Sequence, residues 1–138
     1  MPSVQPATSN QRHRLQFSRV PRFFAVVQLA PDAPVPDWAT EGEFTSITRT
    51  RAELSIVCAA DNLPSDVHSP HRWACLKLKG PFPFSLTGVL LSFIEPLSAN
   101  GIPIFTISTY DTDYVLVQEE STDSTLDLLM AAGHQLLP

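Results

Sequence analysis

In the C-terminal half of the chain, strand-like and helix-like segments follow one another in an order that few folds accommodate. Residues 73–79 alternate apolar and polar side chains, as a strand with one solvated face does. Residues 102–110 and 113–119 are rich in β-branched and aromatic residues and are separated by a two-residue turn, which predicts a hairpin. Residues 134–137 are long enough for one more short strand.

Two helices are predicted between these strands. The first carries apolar residues at helical spacing, can be capped by Ser85 or Thr87, and ends at Gly101. The second begins near residue 121 and ends at Gly133. The resulting order of strand, helix, strand, strand, helix, strand is the βαββαβ pattern of a ferredoxin-like α+β fold.

The N-terminal half shows a weaker version of the same pattern. Residues 22–29 form an apolar run typical of a buried strand, and residues 43–51 and 53–60 predict an antiparallel hairpin. Prolines in the connections leave room for about one helical turn in each. Strand 73–79 can then serve both halves.

These patterns predict a degenerate tandem of two subdomains with antiparallel sheets. The boundaries are residues 22–72 for the first subdomain and residues 73–138 for the second. Residues 1–21 are polar, contain three prolines and show no periodicity, so they predict a flexible N-terminal arm. With 138 residues, of which 43% are hydrophobic and 17% charged, the chain is large enough to bury a core.

The charge distribution argues against two kinds of partner. Four arginines precede the first acidic residue, Asp32, so the rest of the chain carries all 14 acidic residues against 5 of the 9 basic ones. An acidic body does not suit nucleic acid, whose phosphates recruit clustered Lys and Arg. No apolar stretch approaches the roughly 20 residues needed to cross a bilayer, and the start lacks the apolar core of a secretory signal. The sequence predicts a cytoplasmic protein without a membrane partner.

No catalytic apparatus is visible in the sequence. Motifs of nucleophile elbows, phosphate-binding loops, dinucleotide folds and zinc proteases are all absent. Cys58 and Cys75 lie in apolar surroundings without metal-ligand spacing, which predicts two buried thiols. The four histidines have no partner at motif spacing and are predicted to be solvated: His13, His68, His71 and His134. We therefore expect neither catalysis, nor a metal, nor a cofactor.

Four short motifs carry a resemblance to a known family. They are Glu-Gly-Glu-Phe at residues 41–44, Glu-Leu-Ser-Ile-Val-Cys at 53–58, Leu-Thr-Gly at 86–88 and Ser-Thr-Tyr-Asp-Thr-Asp-Tyr at 108–114. Together they resemble bacterial ACT-domain proteins related to the arginine-sensing CASTOR family, over residues 23–134. Residues 107–117 also resemble the regulatory ACT repeats of aspartokinases.

This resemblance implies tandem ACT subdomains, a homodimer, and amino-acid sites at the seams between subdomains. It implies that the loop at residues 84–88 and the hairpin at residues 109–114 hold the ligand, with Asp113 at the acidic position that receives a cationic ligand group. The predicted ligand-binding residues are Ser85, Leu86, Thr87, Gly88, Thr109, Tyr110, Asp111 and Asp113. The chain is about half as long as those sensors, so one chain supplies half of each seam.

The chemistry of these residues agrees with that implication but has simpler explanations. The start of a helix supplies free amides for a carboxylate, and Asp113, with Asp111, can accept an ammonium or guanidinium group. Equally, Ser85 or Thr87 can simply cap the helix, and aspartates are common in tight turns. An Asp-x-Asp pair without further ligands nearby does not indicate a metal.

The sequence favours two possible functions. The first is a regulatory module without catalytic activity that binds an amino acid or a similar small metabolite. The alternative is a protein-interaction or dimerisation module with no small ligand, whose sheet edges pair with a partner or a second copy. Lys77 and Lys79 suit an acidic ligand or a solvated sheet face equally well.

Overall fold

The computed structural model describes residues 12–83 and 85–138, which form one sheet with two α-helices packed on one face. The strands are β1 (Gln16–Leu29), β2 (Ser46–Arg49), β3 (Leu54–Ala59), β4 (Trp73–Leu78), β5 (Ile104–Ser108), β6 (Asp113–Gln118) and β7 (Gln135–Leu136). The helices are α1 (Val89–Ser98) and α2 (Thr122–Ala131). Short 3₁₀ turns occupy Asp37–Thr40, Ala60–Asn62 and Glu119–Ser121.

The sheet confirms the mixed α+β class and both predicted hairpins. Its strand order is β2-β3-β1-β4-β6-β5, with β7 paired to β1. Every pairing is antiparallel except that between β1 and β7. From β4 onward the elements follow the predicted βαββαβ order. The first half of the chain has 3₁₀ turns where a ferredoxin-like unit has helices.

Strand β1 is longer than the sequence predicts, and part of the arm assignment is wrong. The strand begins at Gln16, so residues 16–21 are not part of a flexible arm. Residues 1–11 lie outside the described residues. Two extra residues, Pro21 and Arg22, form a bulge against β4, where Arg22 has a φ of 77°. A bulge accommodates a proline within a strand because the ladder is already interrupted there.

The helix-facing side of the sheet holds the larger core. Phe17 of β1 and Phe93 of α1 are fully buried, and their rings meet edge to face at 5.2 Å. Burying each such side chain stabilises the fold by about 1.5–3 kcal/mol. The other fully or nearly buried members are Leu15, Ala74, Leu76, Leu78, Val89, Leu97, Val115, Val117 and Leu129. Both helices and the three strands β1, β4 and β6 contribute buried side chains to this cluster.

The opposite face of the sheet is more buried than the alternation in residues 73–79 predicts. Cys75 points to that face and is 0% exposed. The loop before β2 folds over it, so that Phe44 stacks on Tyr114 at 4.2 Å and meets Phe24 edge to face. Strand β4 is therefore buried on both faces at its centre, and only Lys77 within it is exposed.

Both cysteines are buried and unpaired, as the sequence predicts. Burial raises the pKa of the Cys75 thiol to about 12 and raises the pKa of the Cys58 thiol as well. A thiol reacts through its thiolate, which burial disfavours in both residues.

We expect neither cysteine to react with an aromatic disulfide reagent in the native protein at mildly alkaline pH. Both thiols should react at once in denaturant, because unfolding removes the burial that raises their pKa values. Absorbance of the released thiolate measures the reaction. Rapid labelling of the native protein would contradict the burial of these side chains.

Candidate functional site

A cavity of about 210 Å³ lies between the loop that enters α1 and the β5–β6 hairpin. Its apolar side is formed by Phe82, Pro83, Leu86 and Val89, and its polar side by residues 108–113. Pockets for drug-sized ligands usually occupy roughly 300–1,000 Å³. The cavity therefore suits a molecule of the size of a free amino acid.

The loop and the hairpin meet because Gly80 permits a close backbone approach. A Cβ atom at Gly80 would lie 2.6 Å from the backbone oxygen of Asp111 and 3.1 Å from the Cβ of Thr112. The Phe82 amide donates to that Asp111 carbonyl at 2.9 Å, which holds the two segments together. The next peptide, Gly80–Pro81, is cis.

The hairpin turn is held by its own threonines. The Thr109 amide donates to the Thr112 carbonyl at 2.8 Å, and the Thr109 hydroxyl donates to the same oxygen at 3.2 Å. The buried Thr112 hydroxyl donates to the Leu78 carbonyl at 2.8 Å, which ties the turn to β4. These bonds hold the backbone of the polar wall of the cavity in place.

The acidic residues of the cavity differ in their surroundings. Asp113 is half-buried and accepts a hydrogen bond from the Ser108 hydroxyl across the β5–β6 ladder. Asp111 is exposed at the tip of the turn. Two carboxylates and the neighbouring hydroxyls can accept several hydrogen bonds from an ammonium or guanidinium group.

The start of α1 differs from the simple capping explanation. Gly88 takes the N-cap position with a φ of 80°, and no side chain caps the helix. Among the described residues no side chain accepts a hydrogen bond from the first amides of α1, and Val89, the first helical residue, lines the cavity. Capping by Ser85 or Thr87 is wrong because the chain enters the helix through a left-handed glycine.

The structure brings together five of the eight predicted site residues. Leu86, Thr109, Tyr110, Asp111 and Asp113 line the cavity. The remaining three lie beside it in the helix entry without lining it: Ser85, Thr87 and Gly88. Their contribution to a ligand site stays a prediction.

Sequence reasoning missed five residues that line the cavity. They are Phe82, Pro83, Val89, Ser108 and Thr112. The segment between Gly80 and the helix contains two Pro–Phe repeats, and a dense run of Gly and Pro is a signal for a loop with a defined shape. Which segment this loop would contact cannot be deduced from that signal.

Further cavities on the described surface include one that touches the same turn and two that lie elsewhere. The first, of about 280 Å³, lies beside Lys77 and Lys79 and also contacts Asp111 and Thr112. The other two have volumes of about 330 Å³ beside Arg22 and about 340 Å³ beside His68. Size alone does not favour these larger cavities, because among the four it is the hairpin cavity that combines a helix start, two carboxylates and an apolar wall.

One histidine departs from its predicted environment. His134 is 5% exposed and packs against Phe93, with the ring centroids 5.3 Å apart. Its prediction as a solvated residue is wrong because the turn after α2 carries it under the segment that precedes β1. Burial lowers the pKa of His134, and a hydrogen bond to the Ser92 carbonyl opposes that effect.

The described residues contain neither a cluster of metal-ligating side chains nor a helix that could span a membrane. No three side chains of the metal-ligating types converge within residues 12–83 and 85–138. In the same part of the chain, neither helix has the length and apolar character needed to cross a membrane.

Comparison with known families matches the chain in two segments. The ACT domain model matches residues 68–131, and a model for an N-terminal domain matches residues 23–66. The human protein CASTOR3P is 32% identical over 91 residues, which are 56% of this chain and 56% of the human protein. The human cytosolic arginine sensor for mTORC1 subunit 1 is 28% identical over 110 residues, which are 74% of this chain but 32% of the sensor. The chain thus spans about half the length of CASTOR3P and about one third of the length of the arginine sensor.

Solved structures extend the comparison over nearly the whole chain. Atu0741 of Agrobacterium tumefaciens is 46% identical, with a TM-score of 0.85 over 91% of this chain and 93% of that protein. VC0802 of Vibrio cholerae, a protein of unknown function, has a TM-score of 0.68 at 18% identity, over 82% of this chain and 85% of that one. At that identity the second similarity concerns the fold alone.

We expect Gly80→Ala to destabilise the protein by about 1–3 kcal/mol, because the added methyl overlaps backbone atoms of the hairpin rather than a flexible side chain. Urea denaturation measures the loss. NMR shifts of residues 109–112 should change at the same time.

Gly101→Ala is the matched control. A Cβ atom at Gly101 meets nothing within 4 Å, but its φ of 73° carries the strain of a left-handed residue, about 1 kcal/mol. Its hairpin signals should stay in place. Unchanged hairpin signals in Gly80→Ala would show that the loop does not hold the turn.

Proposed function

We propose a function from the premise that this chain is an ACT-domain protein of the CASTOR-like type. It acts as a regulatory module that binds a free amino acid or a closely similar metabolite, and it carries out no reaction. The observation that supports this most directly is the cavity at the hairpin, where two segments separated in sequence converge on a space of amino-acid size.

The two walls of the cavity suit the two ends of an amino acid. Amides at the start of α1, together with the helix dipole, favour a carboxylate. The carboxylates of Asp111 and Asp113 favour a positively charged group, either the α-ammonium or a cationic side chain. Phe82, Leu86 and Val89 give the methylene groups of the ligand an apolar surface.

The chain acts as a pair of ACT subdomains, residues 22–72 and 73–138, and it assembles as a homodimer. The match of one family model to residues 23–66 and of the ACT domain model to residues 68–131 supports the division into two subdomains. A ligand that prefers one arrangement of the two copies would shift the assembly toward it.

A thermal-shift screen against the twenty amino acids tests the ligand. An amino acid present at 100 times its dissociation constant stabilises the folded state by roughly 2.7 kcal/mol. We expect a shift with one amino acid or a small related group. No shift with any of them would overturn the proposal.

Asp113→Asn identifies the site of binding. The amide keeps an acceptor for the Ser108 hydroxyl but loses the charge, so the fold should persist while affinity falls by about tenfold or more. Asp66→Asn is the matched control, because Asp66 is exposed and lies outside the cavity. Equal binding by both variants would place the ligand elsewhere.

A second function, a dimerisation module without a ligand, is favoured by the outer edge of the sheet. Strand β5 is an edge strand. Thr109 and Thr112 form a hydrogen-bonded pair, and in an antiparallel ladder hydrogen-bonded and non-hydrogen-bonded pairs alternate. Thr106, three residues before Thr109, is therefore in a non-hydrogen-bonded pair, so its amide points away from β6 and is available to a second chain.

Light scattering of Thr106→Pro tests pairing through this edge. The wild type should have twice the 15.2 kDa chain mass, and the proline variant should shift to the monomer because it lacks the outward amide. Thr106→Val, which keeps the amide and a β-branched side chain, should remain dimeric. A monomeric wild type at high concentration would overturn the dimer.

A further inference from the structure

The segment before β1 is fastened to the helices by two histidines and one serine. The Leu15 amide donates to Nδ1 of His134 at 3.0 Å, and Nε2 of His134 lies 3.0 Å from the Ser92 carbonyl. The His13 amide donates to the Ser92 hydroxyl at 3.0 Å, and Nε2 of His13 lies 3.0 Å from the Thr87 carbonyl. Residues 12–15, His134 and Ser92 are called the latch below.

The hydrogen bonds of the buried ring require one protonation state. Nδ1 accepts from a backbone amide, so it carries no proton, and Nε2 must donate because a carbonyl oxygen only accepts. The neutral ring with its proton on Nε2 satisfies both partners. A second proton, on Nδ1, would point at the hydrogen of the Leu15 amide and replace a hydrogen bond with repulsion.

The latch reaches the start of α1 beside the candidate site. The Ser92 hydroxyl donates to the Gly88 carbonyl at 2.7 Å, and the Ser92 amide donates to the same oxygen at 2.9 Å. Gly88 and Thr87 therefore both have their carbonyls held by latch residues. These two residues immediately precede Val89, which lines the cavity.

We propose that His134 and Ser92 are positioning residues for the ligand site: the latch fixes the helix entry while His134 is neutral, and protonation of His134 releases residues 12–15 and loosens that entry. The effect on ligand affinity rests on the function proposed above. The latch itself does not, because all partners of its hydrogen bonds are protein groups.

The charged residues around the latch do not oppose its release when His134 is protonated. Arg14 of the latch packs against Gly133, next to the ring, and Arg12 pairs with Glu95 of α1 at the surface. His13 is half-exposed, and the backbone amide of His134 donates to the Leu129 carbonyl of α2 at 3.0 Å. None of the described contacts of the His134 ring brings a carboxylate that would stabilise its charged form.

The sign of the pH effect follows from the direction of the shift. Burial lowers the folded-state pKa of His134, so the unfolded chain takes up the proton first as pH falls. The stabilisation is complete above the ordinary histidine pKa of about 6.5 and is lost as pH falls toward the folded-state value. The latch therefore opens on the acidic side of neutrality.

Nitrogen-detected NMR of the ligand-free wild type tests the latch first. We expect the Nε2–H tautomer for His134, and about tenfold or greater loss of hydrogen-exchange protection at the Leu15 amide as His134 takes up a proton, after correction for intrinsic exchange. The Nδ1–H tautomer, or protection of Leu15 that does not change as His134 titrates, would overturn the proposal.

Two variants separate the latch from general stability. His134→Phe keeps an aromatic ring against Phe93 but lacks both hydrogen bonds, so Leu15 should be unprotected at every pH. Ser92→Ala keeps its carbonyl for His134 but frees the Gly88 carbonyl from the hydroxyl bond, so exchange should rise at the α1 entry while Leu15 stays protected. His68→Gln, at an exposed histidine, should leave both signals unchanged.

Ligand binding at two pH values is the second part of the test. An amino acid found in the screen should bind the wild type about tenfold less tightly at about pH 5.5 than at about pH 7.5, and this ratio should vanish in His134→Phe. If ligand affinity does not change with pH while the protection of the Leu15 amide does, the proposed link between the latch and the ligand site is overturned. If no amino acid binds at either pH, the proposed function fails, and the NMR result still decides whether the latch exists.

Discussion

Both halves of the sheet depend on hydrogen bonds to one strand, β1. Its C-terminal part pairs with β3 and its N-terminal part with β7, while β4 pairs with β1 on both sides of the bulge at Pro21 and Arg22. Phe17 on the N-terminal part reaches the helix-facing core, whereas Phe24 reaches the opposite face. A change in this strand would therefore disturb both cores, because neither half has another strand in that position.

The candidate site depends on close contact between two backbone segments. The loop after β4 approaches the β5–β6 turn only because Gly80 has no side chain, and the Phe82–Asp111 hydrogen bond then fixes the distance. On the other side of the helix entry, Ser92 holds the Gly88 carbonyl and receives the His13 amide. The cavity is thus shaped by backbone contacts, while its charge comes from the hairpin carboxylates.

Much of the secondary structure was predictable, and the errors have physical causes. The hairpins and helices have strong local periodicity, and the glycine after each helix marks its end correctly. The first part of β1 was missed because Pro21 suggests a break, although Leu15 and Phe17 alternate with polar residues as a strand would. Five of the eight predicted site residues line the cavity, four of them from the ACT-like hairpin motif and Leu86 from the Leu-Thr-Gly motif. The expected serine or threonine cap is absent because Gly88 occupies the N-cap position.

The sequence by itself determined the type and order of most elements, the burial of the cysteines and the acidic character of the hairpin, because these depend on neighbours a few residues away. Tertiary structure alone decided that β1 lies between β4 and β7, that the Gly80 loop meets the hairpin, and that His134 is buried. The bond between Leu15 and His134 joins residues 119 positions apart. No local pattern encodes such a pairing, since it depends on how the helices and β1 pack in three dimensions.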